Sequence, residues 1–138
     1  MNAYLLDTNV VSELRKPKPH GSVVHWVQSL QGDQLFISAV TLGELQRGIE
    51  RVRRQDAAKA DEIERWVDQL EESGNLLPMD GQCFREWAKL MEKKSGHLIE
   101  DAMIAATARV RGLQVATRNE KDFALFDVAT FNPFRLTQ

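Results

Sequence analysis

The chain has 138 residues, 43% of them hydrophobic, and its 18 basic and 20 acidic side chains give a formal net charge of −2. This length predicts one domain spanning 1–138, and the single cysteine excludes an internal disulfide. The negative charge disfavours a general nucleic-acid binder, which is normally basic, unless acidic and basic side chains occupy separate regions. The sequence shows neither a basic, apolar leader nor a run long enough to span a membrane, so we expect a cytoplasmic protein.

The hydrophobic pattern alternates between short apolar runs and longer segments of helical period. In chain order, the predicted elements are a strand at 3–6, a helix at about 9–15, a helical segment at 23–30, a strand at 35–37, helices at 42–53 and 63–70, an extended segment at 76–79, helices at 84–91 and 102–111, and strands at 113–117 and 128–131.

Helix-stopping residues support several of these boundaries. Pro17 and Pro19 follow the first predicted helix, and Gly112 closes the alanine-rich last one. Ser73-Gly74-Asn75 ends the helix at 63–70. The helix at 84–91 has an apolar stripe, formed by Phe84, Trp87, Ala88 and Met91.

Strands that alternate with helices predict an α/β fold, in which a parallel sheet is covered by helices on both faces. Ligands of such sheets bind at the carboxyl ends of the strands. We therefore expect chemistry just after Leu6, Ile37 and Thr117 and at the helix starts nearby.

Acidic and amide side chains follow the predicted strands at this edge. Asp7 comes directly after the first strand, and Glu44 lies in the predicted first turn of the helix after the second. Asp101 opens the alanine-rich helix, Asn119 follows the fourth strand, and Asp122 comes three residues later.

Each acid also has a purely structural explanation. Asp7 and Asp101 would serve as helix caps, and Thr41 with Glu44 matches a capping box. Capping does not require three acids from distant parts of the chain to meet at one edge of one sheet. Their convergence favours a functional site.

Three neighbouring carboxylates repel one another, and a hard divalent cation relieves that repulsion. Mg²⁺ is held by a few carboxylate oxygens and waters, which leaves positions for phosphate oxygens. The single cysteine and the three histidines show no ligand spacing for a softer metal. We expect Mg²⁺, with Mn²⁺ as a substitute.

Four blocks of the sequence, together with its closing residues, resemble the PIN-domain family, and within it the VapC-type toxins of the FitB-like subgroup. The blocks are LLDTNVVSE at 5–13, SAVTLGEL at 38–45, DAMIAATA at 101–108 and VATRN at 115–119 followed by Asp122-Phe123, and the closing residues are Phe131-Asn132-Pro133. The resemblance extends from about residue 3 to the C-terminus.

This resemblance implies a three-layer domain with a five-stranded parallel sheet flanked by helices. It also implies Mg²⁺-dependent cleavage of RNA by a metal-activated water. Asp7 and Asp101 match the principal metal ligands, and Glu44 matches the third catalytic acid. The family often has a fourth acid where this chain has Asn119, so we expect one well-occupied ion; whether Asn119 or Asp122 completes the site stays open.

Other residues near these blocks are expected to support the site. The supporting residues are Thr8, Asn9, Thr117, Asn119 and Asp122, and the candidate RNA-binding residues are Arg15, Lys16 and Arg118. Arg47, on the helix that carries Glu44, is expected on a solvated helix face or at a subunit interface.

The resemblance also implies partners. We expect a small DNA-binding antitoxin whose basic tail residue, most plausibly an arginine, enters the carboxylate pocket. We also expect a homodimer, with a tetramer of dimers as an option in the antitoxin complex. The helical stretch from about Thr41 to Glu72 is expected to form a hairpin that offers surface for association, and we expect no membrane partner.

Three alternatives to a nuclease use the same residues. A haloacid-dehalogenase-like phosphatase needs a second Asp two residues after the first, where this chain has Asn9. A receiver-type phospho-switch needs paired acids after the first strand, where only Asp7 stands. A degenerate PIN domain acting as a binding module is disfavoured by the three acids but kept open by Asn119.

Overall fold

A computed structural model describes residues 2–73 and 75–135 of the chain. Its strands and helices are β1 Tyr4–Leu6, α1 Thr8–Arg15, α2 Gly21–Gln28, β2 Leu35–Ser38, α3 Ala39–Arg53, α4 Ala57–Glu72, β3 Leu76–Leu77, α5 Gly81–Met91, α6 Ile99–Arg111, β4 Gln114–Ala116, α7 Glu120–Ala124 and β5 Thr130–Phe131. Two 3₁₀ turns, Gly32–Gln34 and Gly96–Leu98, precede β2 and α6.

The five strands form one parallel sheet in the order β3-β2-β1-β4-β5, which confirms the predicted α/β fold. β2 and β3 lie on one side of the central strand β1, and β4 and β5 lie on the other. The strand order therefore reverses between β1 and β4, and such a point opens a crevice at the carboxyl ends. Leu6 is paired with Ala116, so the residues that follow these two strands emerge side by side.

The central strand sends side chains into a core on each face of the sheet. Leu5 packs into the core formed with α5, α6 and α7, whereas Tyr4 and Leu6 pack into the core formed with α1 and α2. All three side chains are buried, because successive residues of a strand point to opposite faces. Helices on both faces give three layers and fix the end of β1 in the middle of the molecule.

Helices α3 and α4 form a hairpin, as the sequence predicts for the stretch from Thr41 to Glu72. Ile49, Ala60 and Val67 are buried between the two helices. Arg53 near the turn forms ion pairs with three acids, Glu50 on its own helix and Asp61 and Glu64 on α4. The hairpin thereby holds α3, and Glu44 on it, in a fixed position.

The predicted helix stops have the expected local causes. Lys16 has an extended backbone (ψ 147°) that ends α1 immediately before Pro17. Gly112 has φ 70°, a left-handed conformation that glycine adopts without strain, and Leu113 N–H then donates to Ala108 O at 2.9 Å. α4 ends at Glu72, and Gly74 of its predicted stop lies outside the described residues, as do residues 136–138.

Several predicted details were wrong. α3 begins at Ala39 with Ser38 as its N-cap, so Glu44 lies in the second helical turn and not the first. α6 begins at Ile99 and not at Ala102. The apolar stripe predicted on α5 is not buried along its whole length, because Phe84 is 44% exposed and Ala88 is also exposed. α7 was not predicted, because a five-residue helix has too few turns to show a period.

Within the described residues, no helix is both long and apolar enough to cross a membrane.

Candidate metal centre

Asp7 lies at the carboxyl end of the central strand and is only 4% exposed. Its Oδ1 accepts a hydrogen bond from Thr8 N–H at 2.8 Å. Its Oδ2 accepts from Asn9 Nδ2 at 3.0 Å and from Thr117 Oγ1 at 2.7 Å. Burial raises the pKa of this carboxyl, although the hydrogen bond from Thr117 opposes that rise. Asp7 is the N-cap of α1, so the structural explanation offered for it is correct. Its hydrogen bond from Thr117 also ties it to the residue that follows β4.

Thr117 is fully buried at the end of β4 and connects the residues around it. While its hydroxyl donates to Asp7, the same oxygen accepts from Asn119 N–H at 2.9 Å. Asn9 Oδ1 accepts from Arg118 N–H at 3.3 Å. Four of the predicted supporting residues, Thr8, Asn9, Thr117 and Asn119, therefore belong with Asp7 to one hydrogen-bond network that joins the ends of β1 and β4.

Glu44 is held from α1 and does not cap its own helix. Thr8 Oγ1 donates to Glu44 Oε1 at 2.6 Å and lies 3.0 Å from Thr41 Oγ1. The capping box that the sequence offered for Thr41 and Glu44 is therefore wrong, because both residues lie inside α3. Burial raises the pKa of Glu44, and the negative charge of Asp7 adds to that rise.

Asp101 lies in the first turn of α6, three residues after the N-cap residue Leu98. The capping explanation for Asp101 therefore fails as well. Burial, and then repulsion from Asp7, Asp122 and Glu44, raises the pKa of Asp101 to about 6. Acids from the end of β1, from α3 and from α7 are therefore near enough to Asp101 for their charges to raise its pKa.

Asn119 and Asp122 are both exposed at the start of α7. Asn119 occupies the N-cap position without a side-chain capping bond. The charge of Asp122 raises the pKa of both Asp7 and Asp101, so Asp122 is a fourth acid near the other three.

Glu100, which sequence reasoning missed, adds a fifth acid on α6. Its charge contributes to the raised pKa of Glu44 and of Asp101. Its carboxylate pairs with Arg47 at 3.1 Å, which places Arg47 beside the cluster as well as on a solvated face of α3. The position of Glu100, next to Asp101 in one helical turn, was the signal available in the sequence.

The donor set consists of carboxylate and neutral oxygens, which suits Mg²⁺ or Mn²⁺ rather than a soft metal. Burial and repulsion from neighbouring acids raise the pKa of Asp101 and disfavour its charged form. A bound cation would stabilise that charged form. Across residues 2–73 and 75–135, no three His, Cys, Asp or Glu side chains are arranged to hold one metal ion jointly. Mg²⁺ needs only one or two carboxylates, with waters completing its coordination, and the charges of Asp7 and Asp101 are near enough to interact.

The three predicted RNA-binding residues have different surroundings. Arg15 lines a cavity of about 250 Å³ with Thr8 and Glu44, so it lies beside the acids. Lys16 forms an ion pair with the buried Glu13 at 2.9 Å, and its charge is thereby compensated. The guanidinium of Arg118 lies over an aromatic ring, that of Phe134.

Comparison with known proteins agrees with this fold and identifies the family. The sequence profile of the family described as PIN domain matches residues 4–129. The chain is 36% identical to Toxin FitB of Neisseria gonorrhoeae, over 94% of this chain and 97% of that protein. It is also 36% identical to VapC ribonuclease Y4jK of Sinorhizobium fredii, over 94% of this chain and 96% of that one. The solved structure of FitAB bound to an IR36 DNA fragment has a TM-score of 0.83 and 32% identity, and the match covers 98% of each chain.

Proposed function

The chain belongs to the PIN-domain family, among its VapC-type toxins, and from that premise we propose that it is a Mg²⁺-dependent endoribonuclease and the toxin of a toxin–antitoxin pair. A relative of 36% identity is named a ribonuclease, which supports hydrolysis of RNA as the reaction. We further propose that the whole chain, 1–138, acts as one nuclease domain.

One observation carries the proposal. Asp7 is buried at the reversal of strand order and held by three hydrogen-bond donors, while Asp101 faces it with a pKa raised to about 6. Stability alone gives no reason to bring these acids together, because the charge of Asp7 raises the pKa of Asp101 and the charge of Asp122 raises the pKa of both. A ligand site for a cation gives that reason.

Asp7 and Asp101 would hold the ion, with Asp122 as the fourth acid near it and Asn119 contributing no charge. When bound, Mg²⁺ or its substitute Mn²⁺ supplies positive charge that stabilises the developing charge on the phosphate and makes a water more acidic. We propose a single ion, because the position where the family often has an acid carries an amide here.

Glu44 would act as the general base. Thr8 donates to Oε1 of Glu44, which fixes the carboxylate and leaves Oε2 able to accept a proton from the attacking water. The water oxygen then forms a bond to phosphorus, the bond from phosphorus to O3′ breaks, and the leaving O3′ takes up a proton from solvent. The products are a 3′ hydroxyl and a 5′ phosphate.

Arg15 and Arg118 would bind backbone phosphates on two sides of the acids, which accounts for RNA binding by a chain of net charge −2. Lys16 is the weaker of the three candidates, because its ammonium group already pairs with Glu13.

We propose that the chain's inhibitor is a small DNA-binding antitoxin. The support is that the similar protein FitB is named a toxin and that FitAB has been solved bound to a DNA fragment. A basic residue of the antitoxin, best an arginine, would pair with the clustered carboxylates in place of the cation. The toxin would be a homodimer that pairs into larger assemblies with its antitoxin.

The test is incubation of the purified protein with mixed RNA in Mg²⁺ and in EDTA. Wild-type protein should cleave RNA only with the metal and leave 5′ phosphates. Asp101→Asn should abolish cleavage, whereas Asp68→Asn, which changes an exposed acid on α4, should leave it intact. Cleavage that survives EDTA or the Asp101→Asn change would refute the proposal. Absence of cleavage under all conditions would favour the non-catalytic binding module.

A further inference from the structure

The guanidinium of Arg118 is held by an aromatic ring and not by a carboxylate. Its carbon lies 3.7 Å from the centroid of the Phe134 ring. Other arginines of the chain, such as Arg47, Arg109 and Arg111, pair with acids. Among the described residues, the guanidinium of Arg118 has no such pair. Stacking orients it while leaving its N–H groups available for a ligand.

The segment that carries Phe134 is anchored from several directions. Phe134 N–H donates to Asn132 Oδ1 at 2.9 Å, and the centroids of the His20 and Phe134 rings lie 5.5 Å apart in an edge-to-face arrangement. On α2, Ser22 Oγ lies within hydrogen-bond distance of Pro133 O, at 2.8 Å, and of Arg135 O, at 2.9 Å. The ring under Arg118 is thus fixed to α2 as well as to the end of β5.

Arg118 lines a cavity of about 320 Å³ that adjoins the acidic cluster. Its lining residues are Arg118, Asn119, Glu120, Lys121, Asp122 and Arg135. Asp122 belongs to both places, because its charge also acts on Asp7 and Asp101. Three of the lining residues are basic and two are acidic, in contrast to the acidic centre next to them.

We propose that Arg118 binds an RNA backbone phosphate next to the scissile one, and that Phe134 is the positioning residue that presents Arg118 to it. The inference rests on the proposed ribonuclease function. A planar guanidinium binds two phosphate oxygens in a fork, and the ring beneath sets the plane of that fork without competing for its hydrogen bonds. The closing segment 131–134 thereby gains a role in substrate binding.

The test is the kinetics of cleavage of a short, labelled, single-stranded RNA of mixed sequence. Arg118→Ala should raise KM about tenfold with little change in kcat, the loss expected for one charge-assisted contact. The slope of log KM against the logarithm of salt concentration should be smaller by about 0.7 in Arg118→Ala than in wild type. This is the contribution of one phosphate contact on a single strand. Phe134→Ala should raise KM by a smaller factor, and Phe134→Trp should restore it.

A double mutant distinguishes positioning from a general structural role. Arg118→Ala combined with Phe134→Ala should have the KM of Arg118→Ala alone, since Phe134 acts through Arg118. Arg85→Ala is the matched control, because this exposed arginine lines another cavity with Val110, near the end of α6 opposite Asp101. If Phe134→Ala fails to fold, Phe134→Leu replaces it.

These measurements distinguish failure of this inference from failure of the proposed ribonuclease function. Wild-type cleavage combined with an unchanged KM in Arg118→Ala, or with additive effects in the double mutant, overturns this inference and leaves the ribonuclease standing. Absence of cleavage that depends on Asp101 overturns both.

Discussion

Asp101 shows how single residues reveal the site. Its pKa is raised to about 6 by burial and by repulsion from neighbouring acids, so its charged form is disfavoured in the metal-free fold. A carboxyl whose pKa is higher in the folded state than in the unfolded state contributes stability at low pH. That contribution is complete below about pH 4 and is lost as the pH rises through 6.

The first prediction is therefore that the metal-free protein loses unfolding free energy between pH 5 and pH 7. Asp101→Asn should flatten this loss, because an amide does not titrate, and so should Mg²⁺. Urea unfolding in EDTA at several pH values measures it. Carboxyls with a lowered pKa, such as Glu13 and Asp80, lose their contribution only at lower pH and do not obscure this window. A pH dependence equal in wild type and Asp101→Asn would contradict the raised pKa.

The second prediction concerns Thr8, whose hydroxyl donates to Glu44 Oε1 at 2.6 Å. Removing this donor destabilises the carboxylate, so the pKa of Glu44 should rise further. In Thr8→Val the acidic limb of the pH profile of kcat should move up by about one unit. Thr8→Ser keeps the hydroxyl and serves as the control. A profile that does not move would mean that Glu44 is not the base.

The positions of these acids could be predicted from the sequence, but their contacts could not. Asp7 directly follows β1, Asp101 lies in the first turn of α6, and Glu44 lies in the second turn of the helix after β2, so each position is a local pattern. The bond from Thr117 to Asp7 joins residues 110 positions apart, and the bond from Thr8 to Glu44 joins residues 36 apart. Only the register of β1 with β4 and the packing of α1 on α3 determine them.

At the scale of elements, the α3–α4 hairpin places Glu44 through its own small core. Ile49 is 1% exposed between the two helices. The third prediction is that Ile49→Ala lowers the unfolding free energy by about 3 kcal/mol, because it leaves a cavity in this core. Ile49→Val should cost only about 1 kcal/mol. Chemical denaturation followed by circular dichroism checks both values, and equal small losses would show that the hairpin core contributes little.

The order and type of the elements could be predicted except for α7, whereas the bounds of the short elements could not. β3 and β5 lie within the predicted segments 76–79 and 128–131 but have only two residues each in the sheet. The five residues of α7 are too few to show a helical period. Phe84 was predicted in the core because it has helical spacing with Trp87, yet it lies at the surface. Hydrophobic period indicates which face of a helix is apolar, but packing decides how much of that face is covered.

At the scale of the whole molecule, segregation of charge reconciles a net charge of −2 with the proposed RNA substrate. The charges of Asp7, Glu44 and Asp122 act on Asp101, while Arg15 lines a cavity with Glu44 and Arg118 lines a cavity with Asp122. The same arrangement offers the proposed antitoxin a pocket that is complementary to a basic side chain.

The fourth prediction is that the product of the adjacent open reading frame copurifies with the chain on co-expression and blocks RNA cleavage. Inhibition should weaken as salt rises, because screening reduces the attraction of a basic side chain to the carboxylates. Pull-down and cleavage assays across salt concentrations measure this. If the chain alone is harmless and its neighbour neither binds nor inhibits, the toxin assignment fails while the nuclease proposal stands.

The central claim is that Asp7 and Asp101 together hold one divalent cation, and titration with Mn²⁺ tests it most directly. Electron paramagnetic resonance of free Mn²⁺ gives the number of ions bound per chain. Wild type and Asp68→Asn should each bind one ion in a saturable way, Mg²⁺ should compete for it, and Asp7→Asn/Asp101→Asn should bind none at the same concentrations. Equal binding by wild type and the double variant, or no saturable binding by wild type, would contradict the claim.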